Sequence, residues 1–151
     1  MTQRIKPTPA YMTAITPLIE FSNYTQESLD PALVEMVRMR ASQINGCAMC
    51  LHWHLQEARK LGMSDEKFLF LNAWWESPLF NERERAALGW TEALTHVAET
   101  RAPDAAYVAV KQHFTEEELV KLTLVIGAIN AFNRLNVGFG MQHPVPKKLA
   151  A

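Results

Sequence analysis

Apolar positions along this chain recur every three to four residues rather than every two, and the polar residues between those runs are of the kind that cap helices. Asp30-Pro31 pairs a cap with a first-turn proline, and Leu33, Val34, Val37, Ala41 and Ile44 then follow at helical spacing as far as Asn45-Gly46. The pattern predicts a helix over 31–44. A second runs from Cys47 to Leu61, where Gly62 supplies a stop, and Ser64 caps a third over 64–75. Asn81 with Glu84, and Thr115 with Glu118, have the spacing of capping boxes and open helices over 82–98 and 116–137. Less regular patterns mark 9–21 and 104–112.

Within 116–137, Leu119, Leu122, Leu124, Val125, Ile126, Ile129 and Phe132 face nearly every direction around the axis. Such a helix is either central or covered by another subunit, and the particle is expected to exceed one 17.1 kDa protomer. No set of β-branched, period-two runs joined by hairpin turns is present. The fold expected is all-α, a bundle of six to seven helices in one domain spanning 1–151.

Charge and hydropathy then exclude several partners. Fifteen basic and sixteen acidic side chains leave a net charge of -1, without the basic excess that nucleic-acid binding requires. The most apolar stretch, Leu119 to Phe132, is interrupted by Lys121, Thr123 and Asn130 and falls short of the roughly 20 residues that span a bilayer. The basic start, Met1 to Lys6, is followed by prolines and polar residues rather than the apolar run of a signal peptide, so a cytoplasmic compartment is expected.

Both cysteines of the chain fall in Cys47-Ala-Met-Cys50. Three residues apart at the start of a helix, they share one face and are close enough to form a disulfide. First-turn amides and the positive end of the helix dipole favour thiolate there. His54 lies four residues after Cys50 and seven after Cys47, on the same face, placed to exchange a proton with either sulfur, whereas His52 points elsewhere. Haem attachment fails, because Leu51 rather than a histidine follows Cys50. A thioredoxin-like fold fails for want of a strand before the motif. Zinc held by Cys47, Cys50, His54 and either Glu35 or His52 lacks a second ligand pair, so neither metal nor cofactor is assigned.

The stretch from Glu35 to His54 resembles the active-site signature of the alkylhydroperoxidase D-like branch of the carboxymuconolactone decarboxylase superfamily. The resemblance rests on Glu35 twelve residues before Cys47, on Arg40, Ser42 and Asn45-Gly46, on the cysteine pair, and on His54. It continues through Trp74 to Pro78, Glu82 to Leu88 and Ile129 to Arg134, so that it covers nearly the whole chain. It implies a helical protomer that assembles as a trimer or hexamer and reduces hydroperoxides without metal or flavin. By the same resemblance Cys50 attacks the peroxide, Cys47 resolves it, and Glu35 with His54 relays protons. An external thiol, dihydrolipoyl or thioredoxin-like, would restore the pair.

One position departs from the family's peroxidases: Met49 stands where they have a histidine, and methionine relays no proton. The alternatives are a non-catalytic metal-binding or thiol-sensing module using the same residues, and a carboxymuconolactone decarboxylase-like lyase, although those enzymes lack the cysteine pair. Trp53, Trp74, Trp75 and Trp90 read as core or interface. Asn130, Asn133, Arg134 and Asn136, on an otherwise apolar helix, need partners either in the site or across a subunit boundary. His96, His113 and His143 read as solvated or packed, and Lys147-Lys148 as a solvated tail.

Overall fold

The computed structural model describes residues 2–145, so the Lys147-Lys148 tail lies outside it. Among these residues there is no strand, as the periodicity predicts, and there are eight α-helices and one 3₁₀ turn: α1 (Pro9–Gln26), α2 (Pro31–Ile44), α3 (Ala48–Lys60), α4 (Asp65–Leu69), the 3₁₀ turn Phe70–Ala73, α5 (Glu82–Thr95), α6 (Val97–Thr100), α7 (Asp104–Lys111) and α8 (Glu116–Phe139). No helix of the described residues is long and apolar enough to cross a membrane.

The caps work as the sequence predicts. Asp30 accepts from the Leu33 amide at 2.8 Å. Asn81/Glu84 and Thr115/Glu118 close full capping boxes, each satisfying two amides that the helix leaves unpaired.

Three boundaries differ from the periodicity by more than two residues. The segment 64–75 leaves the α-helix after Leu69. Arg85, from α5, takes the carbonyls of Trp74 and Trp75 at 3.0 Å each, that of Phe80 at 3.0 Å, and that of Ser77, so the chain there is held by a side chain in place of helical bonds. The segment 82–98 breaks at His96 into α5 and α6, while Thr100 Oγ1 donates back to the Ala93 carbonyl at 2.8 Å. That split raises the count from seven to eight. The first helix continues through Pro17 to Gln26, five residues past its expected end at 21.

The central helix is α2. Every residue from Leu33 to Met39 is buried, because α3, α5 and α8 all pack on it. Helix α8 has its buried stretch between Lys121 and Asn133 but leaves Val120 and Val137 exposed. Its all-round apolarity therefore reflects partial burial within the protomer. Trp90 is buried and Trp74 half-buried, whereas Trp53 and Trp75 are 61% and 52% exposed, so these two are not core.

Candidate functional site

The cysteine pair sits where two helices are joined with almost no loop. Asn45 closes α2, and Gly46 takes a left-handed turn at φ 63°. The Gly46 amide then reaches the Gln43 carbonyl at 3.2 Å and the Cys47 amide the Ser42 carbonyl at 3.0 Å, the two bonds of a Schellman closure. Cys47 thus ends α2 and also caps α3, its sulfur accepting from the Cys50 amide at 3.3 Å. The resulting geometry brings the sulfurs together: Cys47 and Cys50 form a disulfide with Cα atoms 5.4 Å apart. Both cysteines are buried, and α3 begins at Ala48, one residue after the predicted start.

The turn is clamped to α8 by amides. Asn45 Nδ2 donates to the Ala41 carbonyl at 3.0 Å, to Asn130 Oδ1 at 3.0 Å and to Asn133 Oδ1 at 2.9 Å, and Asn133 Nδ2 donates to Ser42 Oγ at 3.0 Å. Arg134 donates to Asn130 as well. One turn further along α8, Asn136 Nδ2 donates to Cys50 Sγ at 3.2 Å. The polar residues of α8 therefore line and brace the site, which settles within one protomer a choice the sequence leaves open. Among the described residues no buried side-chain nitrogen or oxygen lacks a partner.

Glu35 and His54 meet across α2 and α3, with His54 Nδ1 2.8 Å from Glu35 Oε2. Arg38 Nη1 holds the other carboxylate oxygen at 3.0 Å and is itself anchored on Gln26 Oε1 at 3.1 Å, while Nη2 reaches Ser22 Oγ at 3.1 Å. Burial pushes the Glu35 carboxyl up, but His54 and Arg38 outweigh it and hold the group below the usual carboxylate range. An ionised carboxylate only accepts, so Nδ1 of His54 carries the proton and Nε2 is left for exchange. Glu35 is therefore a buried partner of His54, and its pairing with Arg38 on the same helix does not make it a surface residue.

A cleft of about 410 Å³ opens beside the pair, lined by Cys47, Met49, Asn136, Met141, His143 and Val145 among others. Met49 lies on its wall as an apolar surface. His52 stacks on His143, itself a residue of the cleft wall, with ring centroids 5.0 Å apart, a contact that spacing along one helix cannot reveal. His96 is exposed and His113 half-buried. Among the described residues no group of three or more His, Cys, Asp or Glu is arranged to hold a metal ion.

Comparison with known proteins gives the family. The model of the carboxymuconolactone decarboxylase family matches residues 9–93. YdfG, an uncharacterised protein of Bacillus subtilis, is 34% identical over 93% of this chain and 96% of its own length. A protein of unknown function from Agrobacterium tumefaciens, provisionally labelled antioxidant defence protein AhpD, shares the fold with a TM-score of 0.91 and 43% identity over 96% of this chain and all of that one. An uncharacterised peroxidase-related protein from Silicibacter sp. TM1040 has the same fold at a TM-score of 0.75 and 21% identity, covering 89% of this chain and 71% of that one. The Glu35, Cys47, Cys50 and His54 arrangement is set in a member of the carboxymuconolactone decarboxylase family, of the alkylhydroperoxidase D-like kind.

Proposed function

We propose that this protein is a thiol-dependent peroxidase that reduces hydroperoxides at Cys50 and Cys47. The observation that carries the reading is the 2.8 Å bond from Glu35 on α2 to His54 on α3, the helix whose cap and first turn hold the disulfide-forming pair. In the reduced protein His54 Nε2 takes the Cys50 proton, the thiolate attacks the terminal peroxide oxygen, the O–O bond breaks, and the alcohol leaves with the proton that Nε2 returns. Cys50 is then a sulfenic acid. Cys47 attacks it, water departs and the disulfide forms. Two thiols of an external reductant, of dihydrolipoyl or thioredoxin-like chemistry, return the pair to its starting state. Glu35, held ionised by Arg38, keeps the His54 proton on Nδ1 and orients the ring. The functional particle on this reading is a homo-oligomer.

The test is thiol loss on addition of stoichiometric cumene hydroperoxide to the reduced protein. The wild type should lose two thiols per chain. Cys47→Ser should stop at a Cys50 sulfenic acid that dimedone traps, and Cys50→Ser should leave Cys47 unreactive. No thiol loss in the wild type, or equal reactivity of Cys47 in the Cys50→Ser variant, would overturn the proposal.

A further inference from the structure

We propose that Asn136 is a further catalytic residue, whose carboxamide N–H stabilises negative charge on Cys50 Sγ. The inference rests on the reading above that Cys50 is the reacting sulfur. It is carried by a direct contact: Asn136 Nδ2 lies 3.2 Å from that sulfur, from a helix 86 residues away in sequence.

Three features make the contact more than incidental packing. The other asparagines of α8, Asn130 and Asn133, are committed to Asn45, Ser42 and Thr95 and hold the backbone of the turn, so Asn136 is the amide of this set that reaches a sulfur. Asn136 is held in place by the end of its own helix, where its carbonyl accepts from the Met141 amide at 2.9 Å. It also lines the cleft beside Cys47. A group entering that cleft therefore meets the same side chain that touches Cys50.

The charge it would hold arises twice in the cycle. Before peroxide reduction Cys50 must lose its proton to become the nucleophile. During reduction of the disulfide, a thiolate of the external reductant attacks Cys47 Sγ, the S–S bond breaks, and its electron pair leaves on Cys50 Sγ. A second reductant thiol then releases Cys47 from the mixed disulfide. In both steps a fixed N–H donor beside Cys50 favours the charged sulfur over the neutral one, in addition to the first-turn amides of α3. It supplies a donor that the thioether of Met49 cannot.

The experiment reads thiolate formation directly, without peroxide. In a Cys47→Ser background the single thiol is Cys50, and the introduced serine can still cap α3. The rate of iodoacetamide alkylation is followed from pH 5 to 10 in this parent and in its Asn136→Leu and Asn136→Asp derivatives, with circular dichroism as a check of folding. Asn136→Leu should move the alkylation midpoint up by about one pH unit, which lowers the thiolate fraction about tenfold below the midpoint. Asn136→Asp is nearly isosteric and places an acceptor and a negative charge beside the sulfur, so it should move the midpoint further in the same direction. Should Asn136→Leu fail to fold, Asn136→Ala, which also removes the N–H donor and adds no charge, takes its place. Midpoints unmoved in a folded variant would overturn the proposal, whatever happens to peroxide turnover. A raised midpoint in a protein that loses no thiols to peroxide would keep the role of Asn136 and remove the peroxidase reading instead.

Discussion

His54 Nδ1 and Glu35 Oε2 are 2.8 Å apart, and the second oxygen of the same carboxylate is held 3.0 Å from Arg38. The arrangement fixes both which nitrogen of His54 carries its proton and which way the ring faces. Glu35→Gln removes the charge that fixes the tautomer, and His54→Ala removes the exchanging group itself. Each should slow peroxide-driven thiol oxidation by roughly 10²- to 10⁴-fold, the range for a positioned acid-base group. Because the two act as one unit, the double variant should be little slower than the slower single one. Stopped-flow thiol loss on the four proteins checks this, and multiplicative effects would separate the two residues.

The depressed Glu35 carboxyl also makes a statement about stability. Its pKa in the folded protein lies below the ordinary value of 4.5, so the native state holds the ionised form more firmly than the unfolded chain does. The resulting stabilisation is complete above the unfolded pKa and disappears as pH falls through the folded one. Urea unfolding of wild type and Glu35→Gln should therefore show the larger gap at pH 6 to 7 and a gap that narrows from about pH 4.5 downward. Glu118 and Asp65 are also depressed, by Arg83 and Arg59 respectively, but both remain in the variant and cancel in the difference. A gap independent of pH would mean that Glu35 stabilises by packing alone.

What the sequence made legible was local. The caps at Asp30, Asn81 and Thr115, the stop at Asn45-Gly46 and the shared face of Cys47, Cys50 and His54 depend on residues within one or two helical turns, which is the range that spacing reports. Contacts made between helices were not legible in that way. Glu35 finds His54 on the next helix and was placed in the site only by resemblance. Asn136 stood out as polar on an apolar helix, yet nothing along α8 names a sulfur as its partner. The non-helical path after Ala73 has the same origin, since the guanidinium that holds the Trp74 and Trp75 carbonyls belongs to α5.

Asn133 tests the clamp that positions the cysteine turn. It is 1% exposed, accepts from Asn45 and donates to Ser42. Asn133→Leu keeps much of the volume but takes from the buried Ser42 hydroxyl its amide donor, at a cost of about 1–3 kcal/mol, and leaves Asn45 Nδ2 only the Ala41 carbonyl and Asn130 Oδ1. Since Ser42 also supplies the carbonyl that holds the Cys47 amide, the variant should lose peroxide reactivity beyond what its lower melting temperature explains. A destabilised protein with unchanged thiol oxidation rates would restrict Asn133 to a structural part.

The end of α8 offers a comparison between two glycines only two residues apart. Gly140 turns the chain at φ 62°, where its amide and that of Met141 close the helix on Val137 and Asn136, and a Cβ there would lie 2.6 Å from the Thr2 carbonyl oxygen. That carbonyl belongs to a segment pinned in turn by Arg4, which donates its amide to Phe139 at 2.8 Å and its guanidinium to Gly138 at 3.0 Å. Gly140→Ala must therefore bear the left-handed penalty of about 1–2 kcal/mol and also displace the N-terminal segment, so the loss should exceed about 1 kcal/mol. Gly138, by contrast, is helical and exposed, and a Cβ added to it would meet nothing within 4 Å. Gly138→Ala removes backbone freedom from the unfolded chain at no steric cost and should raise stability by about 0.5–1 kcal/mol. Paired urea titrations decide the matter: opposite signs are expected, and equal effects would show that the contact between Thr2 and Gly140 does not constrain the end of the helix.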